Sequence, residues 1–263
     1  MRTNHEIDYQ IHGEEMQYVE VELDPTETAI AESGAFMMMD DGIQMETIFG
    51  DGARPTQGFM GKLMSAGKRL LTGESLFMTA FTNTSQGKKK VSFASPYPGK
   101  IILLDLLKMD GKVICQKDSF LCAAKGVSIG IEFQRKLGTG LFGGEGFIMQ
   151  KLEGDGLAFV HAGGHVMEKD LQPGQMLKVD TGCIVAFSQT VDYDIQFVGG
   201  IKNTLFGGEG LFFATLRGPG KVWIQTLPIS RLAGRILSYG TVRRKEEGSL
   251  LGGIGNAMDG DGW

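Results

Sequence analysis

The hexapeptide LFGGEG stands at 141–146 and again at 205–210. The copies are 205 − 141 = 64 positions apart. Such a pair is either a ligand loop used twice or a joint in a repeated scaffold, and fixed-period self-similarity confines a chain to architectures built from like modules. The surroundings favour the joint. At the same offset LEGDGLAFV (152–160) falls on LRGPGKVWI (216–224), and Val127, Ile129, Ile131 and Phe133 fall on Val191, Tyr193, Ile195 and Phe197. The matching residues alternate, which is the period of a half-buried strand.

A third copy lies upstream. LDPTETAIAESGAFMMM (23–39) aligns with LQPGQMLKVDTGCIVAF (171–187) at an offset of 171 − 23 = 148, and Ile43, Met45, Thr47 and Phe49 continue the match. The middle copy, MDGKVICQKDSFLCAA (109–124), is read with one residue of slip. That slip brings three acid–hydroxyl pairs together, Glu32-Ser33, Asp118-Ser119 and Asp180-Thr181. Side chains of this kind bond nearby backbone amides and suit turns. Within a unit, FIMQKL (147–152) runs through EGDG into LAFVHAG (157–163), a hairpin pattern. The 40 glycines, set against 7 prolines, fit many tight turns.

The predicted fold is all-β, with three internally repeated β units in pseudo-threefold, sandwich- or barrel-like packing. The units span about 7–72, 73–140 and 141–204, followed by a closing half unit at 205–227. Tyr9 and Ile11 correspond to Leu157 and Phe159, so the N-terminal strand is expected beside the 211–227 hairpin, closing the array. Two segments break the pattern. Phe59, Leu63, Ala66 and Leu70 within 58–71 form a helical stripe, as do Ile229, Leu232, Ala233, Ile236 and Leu237 within 228–240. Both are predicted to be short amphipathic helices packed on the sheet, and 241–263 reads as a glycine-rich tail.

With 26 basic and 31 acidic residues, the net charge of −5 argues against a protein built to coat nucleic acid. No run reaches the ~18–20 apolar residues of a membrane-spanning helix, and the polar N-terminus lacks a signal-peptide core. Cys115, Cys122 and Cys183 sit in apolar runs without C-x-x-C spacing, which predicts buried free thiols and a reducing cytoplasm.

Several motifs tempt a catalytic reading. GTGLFG (138–143) matches the dinucleotide glycine pattern, but a β-type run follows it where a helix is needed. GVSIG (126–130) matches a nucleophile elbow, yet Ser128 falls on the outward face of an alternating strand. His161 and His165 lack the further ligands of a zinc site. Glu74, Glu145 and Glu209 recur at equivalent positions and, with Asp118 and Asp180, are read as structural turn residues, each satisfied locally. FMMM (36–39) is read as core filling. The short runs Lys88-Lys89-Lys90 and Arg243-Arg244-Lys245 are read as solvated surface. No catalytic, cofactor or metal residues are assigned.

GESLFMTAF, LFGGEGFIMQKLEGDG, HAGG, VDTGCIVAF, VDYDIQFVGGIK and LFGGEGLFFATLRGPGKVWIQTLP together resemble the bacterial members of the "altered inheritance of mitochondria" family, across roughly residues 5–240. That resemblance implies a β architecture likened to the tryptophan RNA-binding attenuation protein, with internal duplication, and transfers no catalytic residue. The expected function is a non-catalytic scaffold or interaction protein, with peripheral assembly at the inner face of a membrane as its finer version. RNA binding by fold analogy and small-ligand or metal binding are the rivals. The partner is expected to be a protein of unknown identity. A second copy and a membrane surface are further candidates, and nucleic acid is disfavoured. The first surfaces to test are Lys62, Lys68 and Arg69 in the inserted segment and Arg243, Arg244 and Lys245 in the tail.

Overall fold

The segment YVEVEL illustrates how the sequence sets the sheet faces. Val19, Val21 and Leu23 are fully buried, while Tyr18, Glu20 and Glu22 between them are partly exposed. Strand geometry sends successive side chains to opposite faces, so this alternation places one face on a core and the other in water. In a computed structural model, residues 3–49, 77–135, 147–198, 211–237 and 239 are described. They form four antiparallel sheets.

Sheet A runs in the order β1 (Asp8–His12), β2 (Tyr18–Leu23), β7 (Lys89–Ala94), β4 (Phe36–Met39). Sheet B has the order β5 (Ile43–Phe49), β6 (Phe77–Asn83), β3 (Thr28–Glu32), β10 (Phe120–Ala124), β13 (Leu157–Gly163), β8 (Gly99–Asp105). Sheet C has β11 (Ser128–Arg135), β12 (Phe147–Glu153), β9 (Lys112–Gln116), β16 (Ile184–Ser188), β19 (Gly220–Gln225), β14 (Val166–Leu171). Sheet D holds β15 (Met176–Asp180), β18 (Leu211–Arg217) and β17 (Asp192–Val198). A helix, α1, covers 229–237.

Each strand of sheet C is numbered six above the strand in the same place in sheet B. The same pairing scheme is therefore written twice. Another step of six gives β17, β18 and β15, which are sheet D, and a step back gives β4, β7 and β2, which lie in sheet A. The pairings β2–β7, β8–β13 and β14–β19 complete three groups of six strands, 18–94, 99–163 and 166–225. Counted this way β18 and β19 belong to the third group. Two ladders, β3–β10 and β9–β16, join the groups.

Three apolar cores separate the four sheets. Val19, Val21, Leu23 and Phe93 of sheet A meet Ala29, Ala31, Phe81, Cys122 and Phe159 of sheet B. Ile30, Leu104 and Val160 meet Val113, Cys115, Leu152 and Trp223 between sheets B and C. Ile114, Met149, Phe187 and Val222 meet Val179, Ile195 and Leu216 between C and D. Strands β10 and β13 thus lie between two cores and are buried along their whole length, which explains why FLCAA and LAFVHAG show no polar alternation. Phe81, Phe93, Phe147, Phe159 and Phe187 are completely buried, each worth about 1.5–3 kcal/mol relative to exposure.

The fold corrects parts of the sequence reading. Of the sandwich- or barrel-like packing expected, the stacked sheets are the sandwich form, and among the described residues none closes into a barrel. The N-terminal strand does not pair with the 211–227 hairpin: β1 pairs with β2 at the rim of sheet A, and Tyr9 packs edge-on against Phe159, ring centroids 5.1 Å apart. The one-residue slip in the middle copy disappears. Glu32 pairs with Met78 and Gln116 with Met149, so Gln116 is the counterpart of Glu32, and Asp118 lies two residues further on, in a 3-10 turn. Segments 58–71 and 138–143 lie outside the described residues.

Candidate functional site

Four consecutive large apolar side chains stand in solvent on β4. Phe36 is 41% exposed, Met37 48%, Met38 44% and Met39 38%. In the six-step scheme the counterparts of β4 are β10 and β16, which are buried. The difference lies in the neighbours. Strand β10 lies between β3 and β13, and β16 between β9 and β19, whereas β4 pairs with β7 alone among the described residues. The core-filling reading of FMMM is therefore overturned. Its composition is that of a strand flanked on both sides, but among the described residues its place in the array leaves one flank open.

The strand is nevertheless held firmly. Phe36 stacks on Phe81, 5.5 Å between centroids, and the ladder runs Phe36↔Phe93, Met38↔Ser92, Met39↔Val91 with a bulge between Phe36 and Met38. Beyond its end, the Asp40 amide donates to the Lys90 carbonyl and the Lys90 amide donates to Asp40 Oδ2, both at 2.9 Å. An edge strand offers unpaired amides and carbonyls, and proteins usually guard such edges with charge or proline. Neither is present in β4.

A second cluster runs from the surface inward. Burial, with the Asp118 carboxylate nearby, pushes the Glu32 carboxyl up to about 7. Burial also pushes the Tyr97 hydroxyl upward, reinforced by Asp118 and Glu32. His161 is buried, and burial lowers its imidazole to about 4 despite a hydrogen bond to the Asp118 backbone. Its ring meets Tyr97 edge-on at 4.9 Å, and Nδ1 has no hydrogen-bond partner. Glu32 is half-buried and Asp118 exposed, so the cluster joins two carboxyl groups near the surface to the buried Tyr97 and His161. Burial, then Glu32, raises the Cys115 thiol, and burial raises Cys122 as well. All three cysteines are free, Cys115 and Cys122 buried and Cys183 partly so.

The other sequence-derived candidates separate widely. Lys62, Lys68, Arg69, Glu74, Glu145, Glu209, Arg243, Arg244 and Lys245 lie outside the described residues. Asp180 accepts the Gly182 amide at 2.9 Å through Oδ1 and meets Arg231 of α1 at 3.4 Å through Oδ2, so it ties a turn to the helix. Ser128 opens β11 opposite Glu153, in a strand and not an elbow. His161 is buried in β13 while His165 is exposed beyond the turn. No group of three or more potential metal-ligating side chains converges among the described residues. The glycines of HAGGH have a different purpose, because three backbones cross there. The Gly163 carbonyl accepts the Leu227 amide at 3.1 Å, the Gly164 amide donates to the Pro98 carbonyl at 3.0 Å, and a Cβ on Gly163 would strike the Leu227 carbonyl oxygen. Lys88 and Lys90 reach Glu22 at 2.7 Å and Glu20 at 2.6 Å, so acids on β2 offset that basic run.

Layered antiparallel sheets, with one apolar strand exposed at an edge, define the class of protein. The family model described as mitochondrial biogenesis AIM24 matches residues 9–227, and the chain belongs to that family. It is 30% identical over 225 residues to an uncharacterised protein of Streptococcus pyogenes serotype M6, covering 84% of this chain and 86% of the relative. A crystal structure of a Streptococcus pyogenes protein is similar at a TM-score of 0.69 and 25% identity, covering 89% of this chain and 99% of that one. No helix among the described residues is long and apolar enough to cross a membrane.

Proposed function

We propose that this chain is a non-catalytic scaffold or interaction protein whose docking element is β4. One observation carries the reading: four adjacent apolar side chains are exposed on a strand that has no charged residue and pairs on one side only among the described residues. Exposed contiguous apolar surface on an open edge costs free energy in water and is relieved when a partner covers it. The buried thiols of Cys115 and Cys122, both raised by burial, support a structural role for the interior. The membrane version of this reading brings segment 58–71 and the tail against an anionic bilayer.

A photo-crosslinking side chain installed at Met37 in the intact chain, in cells, tests the proposal, with the exposed turn residue Lys125 as control. Protein adducts are expected from position 37 and not from 125. Absence of adducts at position 37 would remove β4 as a docking element.

A further inference from the structure

We infer that the occupant of the β4 edge is β15 of a second copy of this chain, paired antiparallel and head to tail. The inference rests on the docking reading above and names its partner.

The described sheets have several terminal strands, but two are terminal for a particular reason. In the six-step scheme β5, β11 and β17 end their sheets every time, and β8 and β14 do so as well. Strands β4 and β15 differ, because their counterparts are internal. Those of β4 are β10 and β16, and those of β15 are β3 and β9. The internal counterparts are joined to each other by the ladders β3–β10 and β9–β16. The third joint of this kind, β15 with β4, is not made within the chain: β15 ends sheet D and β4 ends sheet A. Among the described residues each copy therefore carries one unused half-joint of each kind.

The two completed joints specify the register of the third. In the first, Ala31 faces Cys122 and Ile30 faces Ala123. In the second, Cys115 faces Ala186 and Ile114 faces Phe187. Transferred by the repeat offsets of 148 and 64 (31 + 148 and 115 + 64 both give 179, and 186 − 148 gives 38), both joints yield the same pairs, Val179 with Met38 and Lys178 with Met39. The shape of β4 agrees. Its bulge between Phe36 and Met38 recurs between Phe120 and Cys122 in β10 and between Ile184 and Ala186 in β16, so β4 carries the same irregularity as the strands that form joints.

The joint would unite sheet D of one copy with sheet A of the next and cover the Phe-Met-Met-Met strip at its open flank. Because donor and acceptor edges differ, the contact is heterologous and propagates into a ring or a filament.

The test uses the full-length chain in a Cys183→Ser background, with the variants Met39→Cys and Lys178→Cys made separately and treated with a short bis-maleimide. Covalent dimers are expected when the two variants are mixed and from neither alone. Dimers from Met39→Cys alone would mean that β4 pairs with β4, which overturns the inference. Met39→Lys, which sets two lysines opposite each other, is expected to weaken self-association at least tenfold by sedimentation, and Lys178→Glu in the same chain is expected to restore it. A chain that stays monomeric at every concentration overturns the inference, whether or not it floats with phosphatidylglycerol vesicles. In that case adducts at position 37 would still leave β4 as a docking element for a different occupant.

Discussion

Glu32 ends β3 beside the turn that leads into β4, and its carboxyl titrates near 7 where an unburied one titrates near 4.5. Between those values the native state holds a proton that the unfolded chain has released, so stability falls as pH rises from about 4.5 to 7. A difference of that size is worth at most about 3 kcal/mol. Glu32→Gln is expected to match the parent near pH 4.5 and to exceed it by about 1–2 kcal/mol at pH 8, measured by urea unfolding at both values. Parallel pH profiles for parent and variant would show that Glu32 is not the titrating group. At this scale the sequence was only partly legible. The acid–hydroxyl pairs looked equivalent because Asp, Glu, Ser and Thr all serve turns. Strand register put Gln116 where Asp118 was expected, since ladder hydrogen bonds fix position more strictly than composition does.

The elements themselves were easier to read. Alternation in V-x-Y-x-I and the D-G hairpin survive as β17 and as the turn between β12 and β13. FMMM failed for a physical reason: its residues match those of β10, and exposure depends on a neighbouring strand that local sequence does not encode. HAGGH was misleading in a different way. Its two histidines drew the reading to metal chemistry, which was set aside for want of further ligands, while its glycines answer to the crossing of 97–99, 161–165 and 225–227. Gly163→Ala is expected to cost about 2–3 kcal/mol, because a Cβ there meets backbone that cannot move aside. Gly87→Ala, where a Cβ meets open space, is expected to be neutral within about 0.5 kcal/mol. Equal melting temperatures for the two variants would contradict the tight crossing.

At the scale of the whole molecule, the offsets 64 and 148 in the sequence reappear as one pairing scheme shifted by six strands. The sequence therefore announced a modular all-β chain. It did not announce that the array would stay open, because closure depends on how successive sheets twist and stack. Among the described residues β4 ends sheet A and β15 ends sheet D, and assembly through those two edges is the central claim. Amide hydrogen exchange of the β4 amides that face away from β7, followed from dilute to concentrated protein, tests it most directly. Fast exchange of these amides at low concentration, with protection appearing together with that of the β15 amides that face away from β18 as copies associate, is the expected result. Outward β4 amides that are already protected in the dilute chain, or unprotected at every concentration, would contradict it.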